Sequence, residues 1–399
     1  MTSFKFVLLW SDALFFLLIA AVIAGGIWSS RQPHLRDNWR KVRQNRVAMG
    51  SAAVLAVFFA IAFIDSLHYR PQLPNLPDSP QGEVRYSTEV LSALDALLMP
   101  MRTQTEKTYS APLATHLFAK ETLDDAGRDF PPLRYPGTHV FGTDKVGQDV
   151  LYLTLKSIRT ALLIGTLTTL IMLPAAIGLG LLAGYMGGWV DDVIQYLYTT
   201  LNSIPGVLLI AASVLMMQVV IDTHPEWFAT SAERADARLL ALCAILGITS
   251  WTGLCRLLRG ETLKLRELEY VQAARALGVS RIRILWRHIL PNVMHIVLIA
   301  MVMDFSGLVL AEAVLSYVGI GVDPNTISFG TMINTARMEL AREPMVCGRW
   351  RRLSFSCSCW CWRPTCLPMR CAMRLIRGHR GESVIGARSV SVDWQPASG

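Results

Sequence analysis

The chain is 399 residues long, 52% hydrophobic and only 17% charged, whereas a soluble domain carries about 25% charged residues. That balance excludes an ordinary soluble globular domain and names the lipid bilayer as the first partner. The formal net charge of +8 is no nucleic-acid signature, because nine arginines against two acids from Cys347 onward supply nearly all of it.

Six apolar segments are long enough to test as helices across a hydrocarbon core that takes about 20 residues. They are Phe6–Trp28, Ala48–Ile64, Thr160–Gly184, Val193–Ile221, Leu239–Cys255 and Val293–Val322. The first resembles a signal peptide in outline, but its charged flank is Lys5 alone and no small-x-small cleavage site follows it, so it reads as a retained anchor. Ser29–Val47 carries six Lys/Arg against one acid, and Arg256–Pro291 carries eight against three. The positive-inside rule makes both cytoplasmic, which puts the N-terminus and the acid-rich Asp65–Ser157 segment outside. Tyr185–Asp192 is the exception: it must be inside, yet its only charges are Asp191 and Asp192. Pro174 and Pro205 lie within apolar spans and are expected to kink them.

Ahead of the third span, Gly142 and Gly147 suit tight turns, and Asp144 or Asp149 can cap the helix that follows. Further on, Glu269–Pro291 reads as helix, break, helix. Tyr270–Leu277 is built of good helix formers, Gly278 stands where a left-handed cap belongs, and Ser280 can cap a second helix running towards Pro291. The small pair Ala273 and Ala274 would let another surface approach closely. In the last span Asp304 and Glu312 are costly in hydrocarbon and so are functional candidates by default. For Asp304, lining a translocation path and a structural role, hydrogen-bonded between subunits or near the outer membrane surface, weigh equally. Glu312, nearer the external end, reads as structural.

Several of these stretches resemble ABC importer permeases of the peptide and nickel branch. Gln272-Ala273-Ala274, Gly278 and Leu290-Pro291 follow the spacing of the coupling loop of that family, with Glu269 opening the segment, although Gln272 replaces its leading glutamate and His288 an isoleucine. His139, Gly142, Thr143, Asp144 and Asp149 resemble the motif before the core, with Gln148 in place of its arginine. These five are read as a membrane-entry cap without substrate contact. Asn38–Met49, Leu182–Asp191, Arg259–Tyr270 and Glu312–Gly319 continue the likeness, which covers Asn38–Met345.

The resemblance implies an all-α polytopic membrane protein, a type I ABC importer permease helix bundle with an extra N-terminal span and a missing or altered last span. Its expected divisions are an anchor at 1–28, a basic cytoplasmic segment at 29–47, a first family helix at 48–64, an external loop region at 65–157, a core at 158–345 and an aberrant tail at 346–399. It implies a second permease subunit, two ATP-binding subunits and an extracytoplasmic substrate-binding protein as partners in a bacterial inner membrane. The chain has no P-loop sequence, no HExxH and no GxSxG. No catalytic residue, metal or cofactor is expected, and ATP hydrolysis falls to another subunit. A non-transporting scaffold or sensor, or an inactive frameshifted copy, is the alternative.

The tail concentrates six of the eight cysteines, including Cys357-Ser358-Cys359-Trp360-Cys361. A metal site fits poorly, since no second spaced pair follows, and a disulfide cluster would sit on a segment without a core. A reading-frame error fits better. Codons allowed for Cys347–Arg377, read two bases on, can spell an apolar span ending R-D-A-F-D-P-R, which resembles the usual C-terminus of peptide-transporter permeases.

Overall fold

A computed structural model describes residues 4–31, 43–72, 86–117 apart from 88, 121–123, 127–323 apart from 229, and 326–340. The tail, residues 32–42 of the basic segment and most of the Pro-rich stretch from Pro71 lie outside the described residues.

Apolar runs of membrane length become helices that satisfy their own backbone groups, as hydrocarbon demands. The N-terminal span α1 (Trp10–Arg31) is followed by α2 (Arg46–Asp65), α3 (Ala93–Leu97) and α4 (Met99–Thr103). Then come α5 (Val150–Met186), α6 (Gly188–Ser203), α7 (Gly206–Thr223) and α8 (Ser231–Leu265). The remaining helices are α9 (Glu269–Ala276), α10 (Arg281–Ile284), α11 (Leu290–Val318) and α12 (Phe329–Leu340). Among the described residues six stretches are long and apolar enough to cross a membrane: Trp10–Ile27, Arg46–Asp65, Val150–Met186, Gly206–Thr223, Ser231–Leu265 and Arg281–Val318.

The bundle is organised on α5 and α8. Half of the α8 span is buried, against 11% for α7, so the long pair is the axis and its neighbours present broad faces outward. Contact is close because the helices meet through glycine. A Cβ on Gly184 would lie 2.6 Å from Cβ of Thr262 and 2.7 Å from the Arg259 carbonyl; one on Gly180 would lie 2.8 Å from the Cys255 carbonyl. Small residues four apart let backbones approach in lipid. Gly180 and Gly184 therefore serve the α5–α8 contact.

Two buried clusters lie along the pair. One gathers Phe15, Leu162, Ile164, Leu242, Leu246 and Leu308; the other gathers Met172, Leu254, Leu258, Val271, Ile284 and Ile289. The second includes the Glu269–Pro291 loop, so that loop rests on the same helices that form the spans.

Three features depart from the sequence reading. Phe4–Val7 is a strand, β1, antiparallel to β2 (His68–Pro71), which pairs in turn with β3 (Leu91–Ser92). The helix thus begins at Trp10 rather than Phe6, and the N-terminus lies beside the segment after α2. The fourth apolar segment is two helices: Ile204 is extended (φ −90°, ψ 132°) and Pro205 stands before α7. Pro205 disfavours helical backbone at the residue before it, so the run is broken rather than kinked. Pro174, by contrast, sits inside an unbroken α5. A small two-stranded sheet, β4 (Glu121–Leu123) with β5 (Gly127–Asp129), completes the non-helical structure among the described residues.

Candidate coupling loop and membrane-entry site

Gly278 ends α9 at φ +76°, a conformation that costs glycine least. Its N–H donates to the Arg275 carbonyl (3.0 Å) and the Val279 N–H to the Ala274 carbonyl (3.1 Å), the pair of bonds that defines a Schellman cap. Ser280 precedes α10, but its side chain makes no capping hydrogen bond. The second arm does not stop at Pro291. Residues 281–318 form one continuous helix, with a π-turn at Leu285–Ile289 and the Leu290 N–H bonded back to the Leu285 carbonyl. Proline has no N–H and its ring crowds the preceding turn. A wider turn placed just ahead of Pro291 accommodates that, and π-turns of this kind recur at functional sites.

The predicted loop residues divide between two faces. Val271 and Ala274 are buried against the bundle, while Glu269, Gln272, Ala273 and Pro291 are exposed. The alanine pair is therefore split: Ala274 packs on the chain's own core, because residues three apart on α9 (Val271 and Ala274) face inward together, and only Ala273 is open to another surface. Gln272 donates through Nε2 to the Glu267 carbonyl at 3.0 Å. The two arms are tied by Asn292, whose Nδ2 donates to Tyr270 Oη (2.8 Å) and to the His288 carbonyl (2.7 Å).

Sequence reasoning missed the apolar tip. Leu277 is 84% exposed, with Ile282 and Trp286 close behind at 68% and 67%. The signal was present as an apolar residue beside the cap glycine. Next to the tip a cleft of about 710 Å³ is lined by Tyr185, Arg266, Gln272, Arg275 and Arg281 among others.

The acidic turn that runs against the charge rule has a structural explanation. Asp191 receives both Arg259 Nε (2.6 Å) and Nη2 (2.7 Å), a bidentate pair across 68 residues that joins α6 to α8. Arg266 Nη1 donates to the Gly184 carbonyl at 3.3 Å near the end of α5. The Arg259 hydrogen bonds hold the Asp191 carboxyl below its ordinary range. A carboxyl depressed on folding contributes stability that is present above its unfolded value and lost as pH falls through its folded value. Asp191→Asn should therefore cost about 1–2 kcal/mol at neutral pH and show a shallower loss of stability on acidification, measured by thermal unfolding from pH 7 downward. An acid limb identical to that of the parent chain would contradict this.

At the opposite end of α5, Asp149 rather than Asp144 is the cap: its Oδ1 accepts from the Leu151 N–H at 2.7 Å. Asp144 instead closes the turn before it, its N–H donating to the Gln148 carbonyl and its carbonyl accepting from Gly147 N–H, both at 2.8 Å. Gly142 and Gly147 have φ of +73° and +78°, and a Cβ on Gly147 would strike the Glu106 carbonyl. Thr143 Oγ1 donates to the Thr108 carbonyl at 2.8 Å. His139 pairs with Asp149 Oδ2 through Nδ1 at 3.0 Å and lies 3.8 Å from Glu106. Glu106 gave no sequence signal; its carboxylate accepts from the Arg134 and Tyr135 N–H groups.

In α11, Glu312 is buried and accepts from Ser316 Oγ (2.7 Å) and Ser328 Oγ (2.9 Å). A Cβ on Gly330 would meet its Oε1, so this carboxyl docks the α12 region against α11. Asp304 is half-buried, and no hydrogen bond or ion pair to it is present among the described residues. The Glu269–Pro291 loop, the turn around His139–Asp149 and the two α11 carboxyls are thus three separate places.

Residues 176–348 match the model of the family described as "Binding-protein-dependent transport system inner membrane component". The chain is 34% identical over 215 residues to the oligopeptide transport system permease protein OppC of Mycobacterium tuberculosis, covering 54% of this chain and 68% of that protein. The chain belongs to this family. The dipeptide transport system permease protein DppC of Lactococcus lactis is 26% identical over 309 residues, 77% of this chain and 81% of the relative. The glutathione transport system permease protein GsiD of Pectobacterium atrosepticum is 32% identical over 208 residues, 52% and 63% respectively. As a binding-protein-dependent inner membrane component the chain is a multi-pass permease and not itself an enzyme. The all-α bundle expected from the sequence is the observed one, with two small sheets added to it among the described residues.

Proposed function

We propose that this chain is a permease subunit of an ATP-driven peptide importer, working beside a second permease, two ATPases and an extracytoplasmic binding protein. The loop is its coupling element. The observation that carries this reading is the exposed apolar tip of Leu277, Ile282 and Trp286 on a loop whose other face is packed into the α5–α8 core. A surface that is apolar, anchored to the spans and built around an ordered cap suits docking into a partner's cleft, and movement of that partner would reach the spans through Val271 and Ile289. Peptides are the solute in the names of the oligopeptide and dipeptide relatives. Co-expression with the partner subunits and uptake of labelled di- and oligopeptides into vesicles tests it. ATP-dependent accumulation is expected, and an assembled complex that hydrolyses ATP yet accumulates no peptide would refute it.

On the same reading Glu269, Gln272, Ala273, Ala274, Gly278 and Pro291 form and present the docking surface. His139, Gly142, Thr143, Asp144 and Asp149 cap the entry of α5 without touching solute, and the N-terminus is external. Asp304, lacking a partner among the described residues, lines the path, whereas Glu312 holds α11 in place. Asp304→Asn should lower uptake with unchanged expression; full activity would remove Asp304 from the path.

The family match ends at residue 348, beside the place where the composition changes. This supports a frameshift near Pro344–Gly348 that replaces the last family helix. The nucleotide sequence there decides it, and an unshifted frame would exclude it.

A further inference from the structure

The extra span α1 is fixed to the bundle by charge at its N-terminal end. Asp12 is wholly buried, and its carboxylate accepts from the Arg159 guanidinium of α5 and pairs with His68 Nδ1 at 2.7 Å. The Ser11 N–H donates to Asp236 Oδ2 of α8 at 3.0 Å. Arg159 also reaches Ser11 Oγ (3.1 Å) and, through Nε, Ser66 Oγ at the end of α2 (3.2 Å). Asp65, in the same corner, accepts from Ser92 Oγ at 2.6 Å. Arg159 is thus the meeting point of four helices, and two of its partners come from α1. Below this corner Phe15 is buried, but from Ala20 to Ile27 every residue of α1 is exposed.

We propose that α1 is a working part of the bundle rather than a simple anchor, and that Asp12 is the positioning residue for Arg159. Through that pair α1 holds the outer ends of α2, α5 and α8 in register. A largely buried guanidinium that loses its hydrogen-bonded carboxylate is far costlier than either a matched pair or a neutral isostere. Asp65 and Asp236 offer Arg159 attraction without such a bond, so the corner depends on Asp12 being in place. From Ala20 to Ile27 the residues of α1 are exposed, so its buried attachment is concentrated at the Asp12 end. Arg266, through the Gly184 carbonyl, ties the other end of the α5–α8 pair, so the two ends together would keep the pair moving as one body.

The first test needs no transport and stands independently of the importer reading. In the full chain in detergent, D12N and R159Q are each expected to lower the unfolding midpoint by about 5 °C or more. The double variant D12N/R159Q should be no less stable than the worse single, because removing both charges leaves neither stranded. Losses that simply add would overturn the pairing. If D12N does not accumulate in the membrane, recovery of its level by the added R159Q reads the same coupling, and no recovery counts against it. The second test separates positioning from mere stability: in vesicles holding the complete transporter, peptide uptake per ATP hydrolysed should fall in D12N and be kept in D12E. An unchanged ratio in D12N would overturn the positioning role while leaving the importer assignment intact.

Discussion

Replacing Leu277 by aspartate is expected to abolish ATP-driven uptake while leaving membrane insertion and the unfolding midpoint unchanged. Leu277 is 84% exposed, so the folded chain alone loses little by the change. In a docked complex the same side chain would be covered, and burying a leucine contributes about 1.5–3 kcal/mol. Aspartate forfeits that and adds the cost of desolvating a charge with no partner supplied. Docking should weaken by about a hundredfold or more, since each 1.4 kcal/mol is a factor of ten. The measurement is co-purification of the ATPase together with uptake. Deletion of Ala273–Gly278 should give the same uncoupling, with the permease still in the membrane. Retention of both docking and transport by Leu277→Asp would move the coupling surface away from this tip.

The second large effect is expected at Gly184. Valine there would place its Cβ 2.6 Å from Thr262 and 2.7 Å from the Arg259 carbonyl. The second neighbour is backbone and cannot turn aside as a flexible side chain would. Overpacking a well-fitted contact typically costs about 1–3 kcal/mol, occasionally more, and this contact joins the two helices on which the bundle is built. Separating them would also disturb the Arg266 bond to the Gly184 carbonyl and the Asp191–Arg259 pair at the same end. Gly184→Val should therefore lower both the amount of folded protein in the membrane and its midpoint, whereas Gly178→Val, with nothing within 4 Å of its Cβ position, should be tolerated. Equal behaviour of the two variants would show that the close approach of α5 and α8 is unimportant.

Much of the fold and of the proposed coupling loop is legible in the amino-acid sequence. The spans are visible because apolar length must match hydrocarbon thickness, and the loop's cap because only glycine adopts its backbone angle cheaply. Asp149 is one of two candidate caps, and geometry chooses it because Asp144 is already committed to the preceding turn. Other features leave no trace. Glu106 is one of four glutamates in a long loop, and its importance arises only when Gly147 and two backbone N–H groups fold around it. Asp12 reads as an ordinary flank of an anchor until the fold sets Arg159 against it, 147 residues away.

The number of spans, the basic faces of the loops, the break at Gly278 and the family motifs all follow from the linear chain, because each is a local property of composition, period or one residue's backbone freedom. Which way those elements face comes from the assembled bundle. Ala274 points inward and Leu277 outward, Asp191 is neutralised by a distant arginine, and the second arm runs through Pro291 into a span by way of a π-turn. Orientation and pairing depend on which neighbour arrives on which side, and residues far apart in the chain carry no local mark of that meeting.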